Sequence, residues 1–266
     1  MLEILREFFG FGGYQRPIEG YMSWQHLVSV SVWFAILIAL AIWLGVVNKN
    51  KTDKQKNKVL VWTAIIVDGV EIFRIVIESF VRKDPTYWLY ALPLFLCSIQ
   101  FITLPLAAFT KGRLKEVGLD FVFIFGILSA VAGLYFAGQN YSAYPVFSFC
   151  NIASGITHGV SGFASLYIVI SGMASMKKKN LHITFAIMFG VSVLAYIANL
   201  LLDYNYFFLM GGDGTPYDII FNLVNGHPVI YPLIVVLLLV AYIFVFNWVY
   251  NLIKNKRDKK RNQQNA

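Results

Sequence analysis

Charge is scarce in this chain. Only 14% of its 266 residues are Asp, Glu, Lys or Arg, against about a quarter in an ordinary soluble domain. Cysteine is scarcer still, with Cys97 and Cys150 alone and no CxxC pair, which excludes a disulfide framework and a zinc site of the usual spacing. HExxH and GxSxG are absent, which removes the common intramembrane hydrolase signatures. No Lys falls inside an apolar run, so a retinal Schiff base has no anchor. The GGDG at 211–214 is not followed by Lys, so it is no phosphate loop, and Asp213 and Asp218 lack the further ligands of a calcium loop. No cofactor and no metal are expected. Internal repeats and interdomain linkers are also missing.

Long apolar runs are what the chain has instead. It is 58% hydrophobic with a mean hydropathy of +0.63. Runs of roughly 20 apolar residues are long enough to cross a bilayer. Seven are predicted: 26–47, 59–80, 87–109, 118–137, 147–174, 181–202 and 229–253. The fold class expected is an all-α bundle of seven transmembrane helices in one domain, 1–253. The first run ends in NKNKTDKQKNK and is too long for the core of a signal peptide, so it reads as a true span. The net charge of +8 does not point to nucleic acid, because the basic residues stand in short clusters between apolar runs.

Those clusters set orientation. The 48–58 loop carries five Lys, and the 110–117 and 175–180 loops carry three basic residues each. The tail from Lys254 carries six. The alternate loops hold only Arg6, Arg16, Arg82 and Lys83. Cytoplasmic loops collect Lys and Arg, so the C-terminus is expected inside the cell membrane and the N-terminus outside. The tail 254–266, KNKRDKKRNQQNA, is expected to be disordered and to lie near anionic headgroups. Membrane lipids are the expected partners; oligomeric state is open.

Ionisable side chains inside a bilayer are costly and mark candidate sites. The second run holds four, Asp68, Glu71, Arg74 and Glu78, spaced to share one helical face. Arg74 is expected to pair with both Glu71 and Glu78. Counting ~1.5 Å per residue from the outer end puts Cys97 of the third run ~15 Å deep. His158 of the fifth run and Asp68 of the second fall at a similar level. A thiol, an imidazole and a carboxylate at one depth suit nucleophilic catalysis, in which a base activates the thiol and an acceptor orients the base. Whether their helices are neighbours stays open. Asn151, Ser154 and His158 form a polar stripe on the fifth run. Cys150 beside it reads as structural. Pro93, four residues before Cys97, bends its helix. The 203–228 connection is the longest and reads as a lid, with Phe207, Phe208, Leu209 and Met210 dipping into the interface. Arg74, Glu78, Asn151, Ser154, Asn205 and His26 are the candidate substrate contacts.

Several short motifs then converge. ALPLFLCSI around Cys97, WQHL with His26, EIFR with Glu71, the THG at Thr157–Gly159, and DYNYFFL followed by HPVIYP resemble the YwaF-type bacterial membrane proteins, in order and across most of the chain. That family is related to animal transmembrane protein 164, described as a cysteine-dependent phospholipid acyltransferase. The resemblance implies Cys97 as the acyl-carrying nucleophile and His158 as its base. Asp68 or Glu71 would orient the His, and bent backbone near Pro93 or a side chain of the fifth run would hold the oxyanion. One departure is plain: the family's LPLHLC has His where this chain has Phe95. Two other classes stand beside the acyltransferase. One is an ion- or proton-coupled transporter using the acidic face of the second run. The other is a receptor or scaffold without chemistry.

Overall fold

The computed structural model describes residues 2–264 and is all-helical among them. A short helix α1 (Leu2–Phe9) precedes α2 (Trp24–Asn48) and α3 (Asp53–Arg82). Then come α4 (Gln100–Phe109), α5 (Gly112–Tyr135), a single turn α6 (Gly138–Ala143) and α7 (Phe149–Ile170). The chain closes with α8 (Lys178–Leu202), α9 (Tyr217–Leu223) and α10 (Ile230–Gln264). Helix starts follow local chemistry. Ser23 Oγ accepts from the His26 N–H at 3.2 Å, and Thr52 with Gln55 forms a reciprocal capping box on α3.

Five helices are long and apolar enough to cross a membrane: α2, α5, α7, α8 and α10. Helix α3 runs 30 residues but carries the charged face, and α4 has only 10. The apolar run predicted at 87–109 is therefore not one helix. It contains a 3₁₀ turn at Tyr87–Tyr90, irregular chain through residue 99, and then α4. Pro93 supplies the reason: it lacks an N–H and pushes the residue before it out of helical geometry. Side chains take over the missing ladder. Phe95 N–H donates to Ser98 Oγ at 2.8 Å, and Leu92 N–H donates to the Tyr206 hydroxyl at 3.3 Å.

At the other end, residues 254–264 continue α10 instead of leaving it as coil. Lys, Arg and Gln are good helix formers, and the preceding span supplies the nucleus.

Helices α5 and α7 form the buried centre, while α2, α8 and α10 turn most of their surface outward. Outward rows include Trp43, Trp62, Leu201 and Trp248, all more than 60% exposed, as lipid-facing residues are. Small residues let α5 and α7 approach closely. A methyl carbon at Gly126 would lie 2.6 Å from the Ser161 carbonyl oxygen, and one at Gly162 would lie 2.6 Å from Ala130 Cβ. Ser165 Oγ donates to Phe123 O at 2.8 Å across the same seam. Below it, the buried carboxylate of Asp120 is held by neutral donors alone: Ser175 Oγ, Met176 N–H and Asn180 Nδ2. It ties α5 to the α7–α8 connection.

Candidate functional site

A cavity of about 950 Å³ opens between α3, the irregular 91–99 segment, α5 and α7. The connection after α8 closes over it with Tyr204, Phe207 and Phe208. Its volume is that of a small-molecule or cofactor site.

Cys97 and His158 both line this cavity. Glu71 shares the cavity wall with them. No aligned bond joins thiol and ring among the described residues; such loose contacts are common where no substrate is bound. His158 Nδ1 lies 2.8 Å from the Ser154 carbonyl oxygen and 3.3 Å from Ser154 Oγ. A carbonyl only accepts, so Nδ1 carries the proton and Nε2 of the neutral ring is left as the free base. The acceptor that orients the imidazole is thus main chain one turn back on α7, not a carboxylate. Cys97 itself sits in the turn leading into α4. Among the described residues, none accepts a hydrogen bond from the backbone N–H of Leu96, Cys97 or Ser98. Unpaired amides at a helix start favour negative charge.

Across the cavity, Arg74 grips Glu71 with two bonds, 2.9 Å from Nε and 2.5 Å from Nη2, and reaches the Tyr87 hydroxyl at 3.2 Å. Cys150 lines the same cavity as Arg74.

A model of the TMEM164 family matches residues 21–246. The chain belongs to the TMEM164 family. Comparison with curated proteins and with solved structures returned no match. In this TMEM164 family member the matched stretch runs from α2 to about halfway along α10, with every cavity residue named above; α1 precedes it.

Several predicted contacts go elsewhere. Asp68 does not line the cavity. It shares a stripe of α3 with Ile65 and Ile72, which are 48% and 63% exposed, and its buried Oδ1 has no partner among the described residues. Among the described residues no hydrogen bond joins it to His158. Glu78 pairs with Arg82 at 2.8 Å, not with Arg74, because Arg82 lies one turn further along α3. Arg82 also stacks over the Tyr87 ring at 5.0 Å.

His26 is fully buried away from the cavity. Its Nδ1 accepts from Met22 N–H at 3.2 Å, its Nε2 donates to Leu134 O at 2.8 Å, and its ring stacks on Tyr141 with centroids 3.7 Å apart. Both nitrogens are spent on main chain. Asn151 donates to Tyr144 O and Pro145 O and latches the turn before α7. Asn205 bonds Gly211 O, Asp213 and Met210 N–H, so it knits its own loop. Of the predicted site residues, the cavity gathers Cys97, His158, Glu71, Arg74 and Ser154.

The lid also differs from expectation. Phe207 and Leu209 point inward, 3% and 2% exposed, and only Met210 of the four stays outside. Phe207 and Phe208 both adopt positive φ, 61° and 55°, a costly backbone for bulky side chains. Asn199 holds the turn, with Oδ1 2.5 Å from Tyr206 N and Nδ2 3.0 Å from Tyr206 O. Phe95 lines the cavity beside Cys97. Residues two apart would diverge on a regular helix, but this segment is not one.

Proposed function

We propose that this chain is a multi-pass cell-membrane acyltransferase that carries a fatty acyl group on Cys97. In this reading seven segments cross the bilayer, the N-terminus lies outside, and the cavity is reached from the outer leaflet. Membrane lipids are its substrates, and the basic end of α10 rests near anionic headgroups.

The observation that carries the reading is one cavity lined by both Cys97 and His158, with the Nε2 of the ring unbonded among the described residues. His158 Nε2 takes the thiol proton as Sγ attacks the carbonyl carbon of a lipid ester. The negative charge that gathers on the carbonyl oxygen faces the unpaired amides of residues 96–98. Collapse breaks the ester C–O bond, and the leaving alkoxide takes the proton back from His158. The thioester formed on Cys97 then passes its acyl group to an acceptor hydroxyl, which gives its proton to His158 as it attacks; the C–S bond breaks, and the leaving Sγ takes that proton back. The Glu71–Arg74 pair contributes a fixed charged wall, and the aromatic lid keeps water from the thioester.

The test is acyl labelling of the purified protein in lipid. Wild type is expected to take up hydroxylamine-sensitive label, and Cys97→Ala to take up none. Equal label in the two would sink the reading.

A further inference from the structure

Gly133 of α5 has no side chain where it faces His158. A methyl carbon there would lie 1.8 Å from Cδ2, 2.2 Å from Cγ and 2.3 Å from Nε2 of the imidazole. Real carbon atoms never approach so closely, so one of the two must give way. Other glycines of α5 behave differently. At Gly118 and Gly126 the nearest atoms are main chain, Ala107 N and Ser161 O, so those residues set how closely helices cross. At Gly133 all three nearest atoms belong to one ring.

We propose that Gly133 is a positioning residue for His158: the missing Cβ is the berth in which the imidazole lies with Nε2 toward Cys97. The inference rests on the proposed thioester chemistry, in which His158 is the base.

The helices on either side cannot yield, so the ring must move into the cavity. Its Nδ1 is tied to Ser154 O at 2.8 Å, so a pivot breaks that bond. Helix α7 cannot retreat, because α2 backs it at this level. Trp33 Nε1 donates to Gly155 O at 2.9 Å, and a methyl carbon at Gly159 would already lie 2.7 Å from Trp33 Nε1. Helix α5 cannot retreat either, because the carbonyl of the next residue, Leu134, is held by buried His26 at 2.8 Å. A methyl at Gly133 therefore displaces the imidazole instead of being absorbed by the helices.

The experiment reads the rate of iodoacetamide alkylation at Cys97, resolved by peptide mass spectrometry, in wild type, Gly133→Ala, His158→Ala and the double variant at neutral pH. The midpoint of thermal unfolding in detergent serves as the fold control, because Cys150 lines the same cavity as Cys97. Gly133→Ala is expected to slow Cys97 alkylation by about tenfold or more, as His158→Ala does. The double variant is expected to be no slower than His158→Ala alone. Wild-type reactivity in Gly133→Ala with slow His158→Ala overturns the positioning role and leaves the proposed function standing. Wild-type reactivity in His158→Ala removes the base itself, a different failure. Should Gly133→Ala lower that midpoint, its recovery in the double variant supports the clash with the ring. A midpoint still lowered in the double variant makes Gly133 a helix-packing residue and overturns the proposal.

Discussion

Two histidines meet the same turn of α5 and are used in opposite ways. His26 sends Nε2 to the Leu134 carbonyl, takes Met22 N–H on Nδ1 and stacks on Tyr141. His158 lies against Gly133, one residue earlier, and spends only Nδ1 on main chain. Its other nitrogen is unbonded among the described residues, and His158 lines the cavity with Cys97. Residue type is alike, but His26 is fully buried while His158 is half-buried against a cavity, and the count of uncommitted nitrogens differs. A histidine with both nitrogens bonded to backbone is a strut, whereas one with a single free nitrogen in a cavity is available for proton transfer.

The largest expected effect tests that contrast directly. His158→Ala should lower the rate of acyl transfer by about 10²–10⁴-fold, the usual worth of a positioned base, with little change in thermal unfolding. A rate within twofold of wild type would break the distinction between the two rings.

Next in size is Glu71→Gln. Arg74 would keep its place on the cavity wall without its bidentate acceptor. Breaking a buried pair by removing one partner costs about 3–5 kcal/mol. Unfolding in detergent should show that loss; an unchanged midpoint would mean that Tyr87 and water satisfy Arg74 unaided. The companion Glu78→Gln should cost less, because Arg82 is 46% exposed and can turn to solvent.

His26→Ala should reverse the pattern of His158→Ala. It leaves a buried carbonyl and a buried N–H without partners, at about 1–3 kcal/mol for each group, and removes the Tyr141 stack. Stability should fall, while transfer per folded molecule stays within about twofold, read by normalising activity to the folded fraction. A selective loss of rate at unchanged stability would place His26 in the site after all.

Which of these roles the sequence could announce follows from what spacing encodes. Apolar length finds the spans, and equal depth brings Cys97 and His158 to one level, because both depend on distance along the chain. Spacing on a helix does not reveal which way its face points, so Asp68 reads as a partner of His158 although its stripe of α3 turns outward with Ile65 and Ile72. Arg82 was legible only as a loop charge, yet it takes Glu78. Pro93 signalled a bend, but the full loss of helix through residue 99, which brings Phe95 and Cys97 into the same cavity, depends on Tyr206 and Ser98 taking over the backbone bonds. Gly133 carried no signal at all, since a glycine among apolar residues has no chemistry to read; only the ring packed on it gives it meaning.

The smallest effect sharpens the comparison most. Ser154 offers His158 Nδ1 two acceptors, its carbonyl at 2.8 Å and its hydroxyl at 3.3 Å. If main chain fixes the tautomer, as it does for His26, the hydroxyl is secondary. Ser154→Ala keeps the carbonyl, so only the longer contact and the weak bond from Asn140 Nδ2 at 3.4 Å are lost. One neutral hydrogen bond is worth about 0.5–1.5 kcal/mol, so the transfer rate should fall by less than about tenfold and the pH–rate profile should keep its shape. A loss as deep as that of His158→Ala would mean that the hydroxyl, not the carbonyl, holds the proton on Nδ1. The two histidines would then differ in how they are anchored as well as in how many nitrogens they leave free.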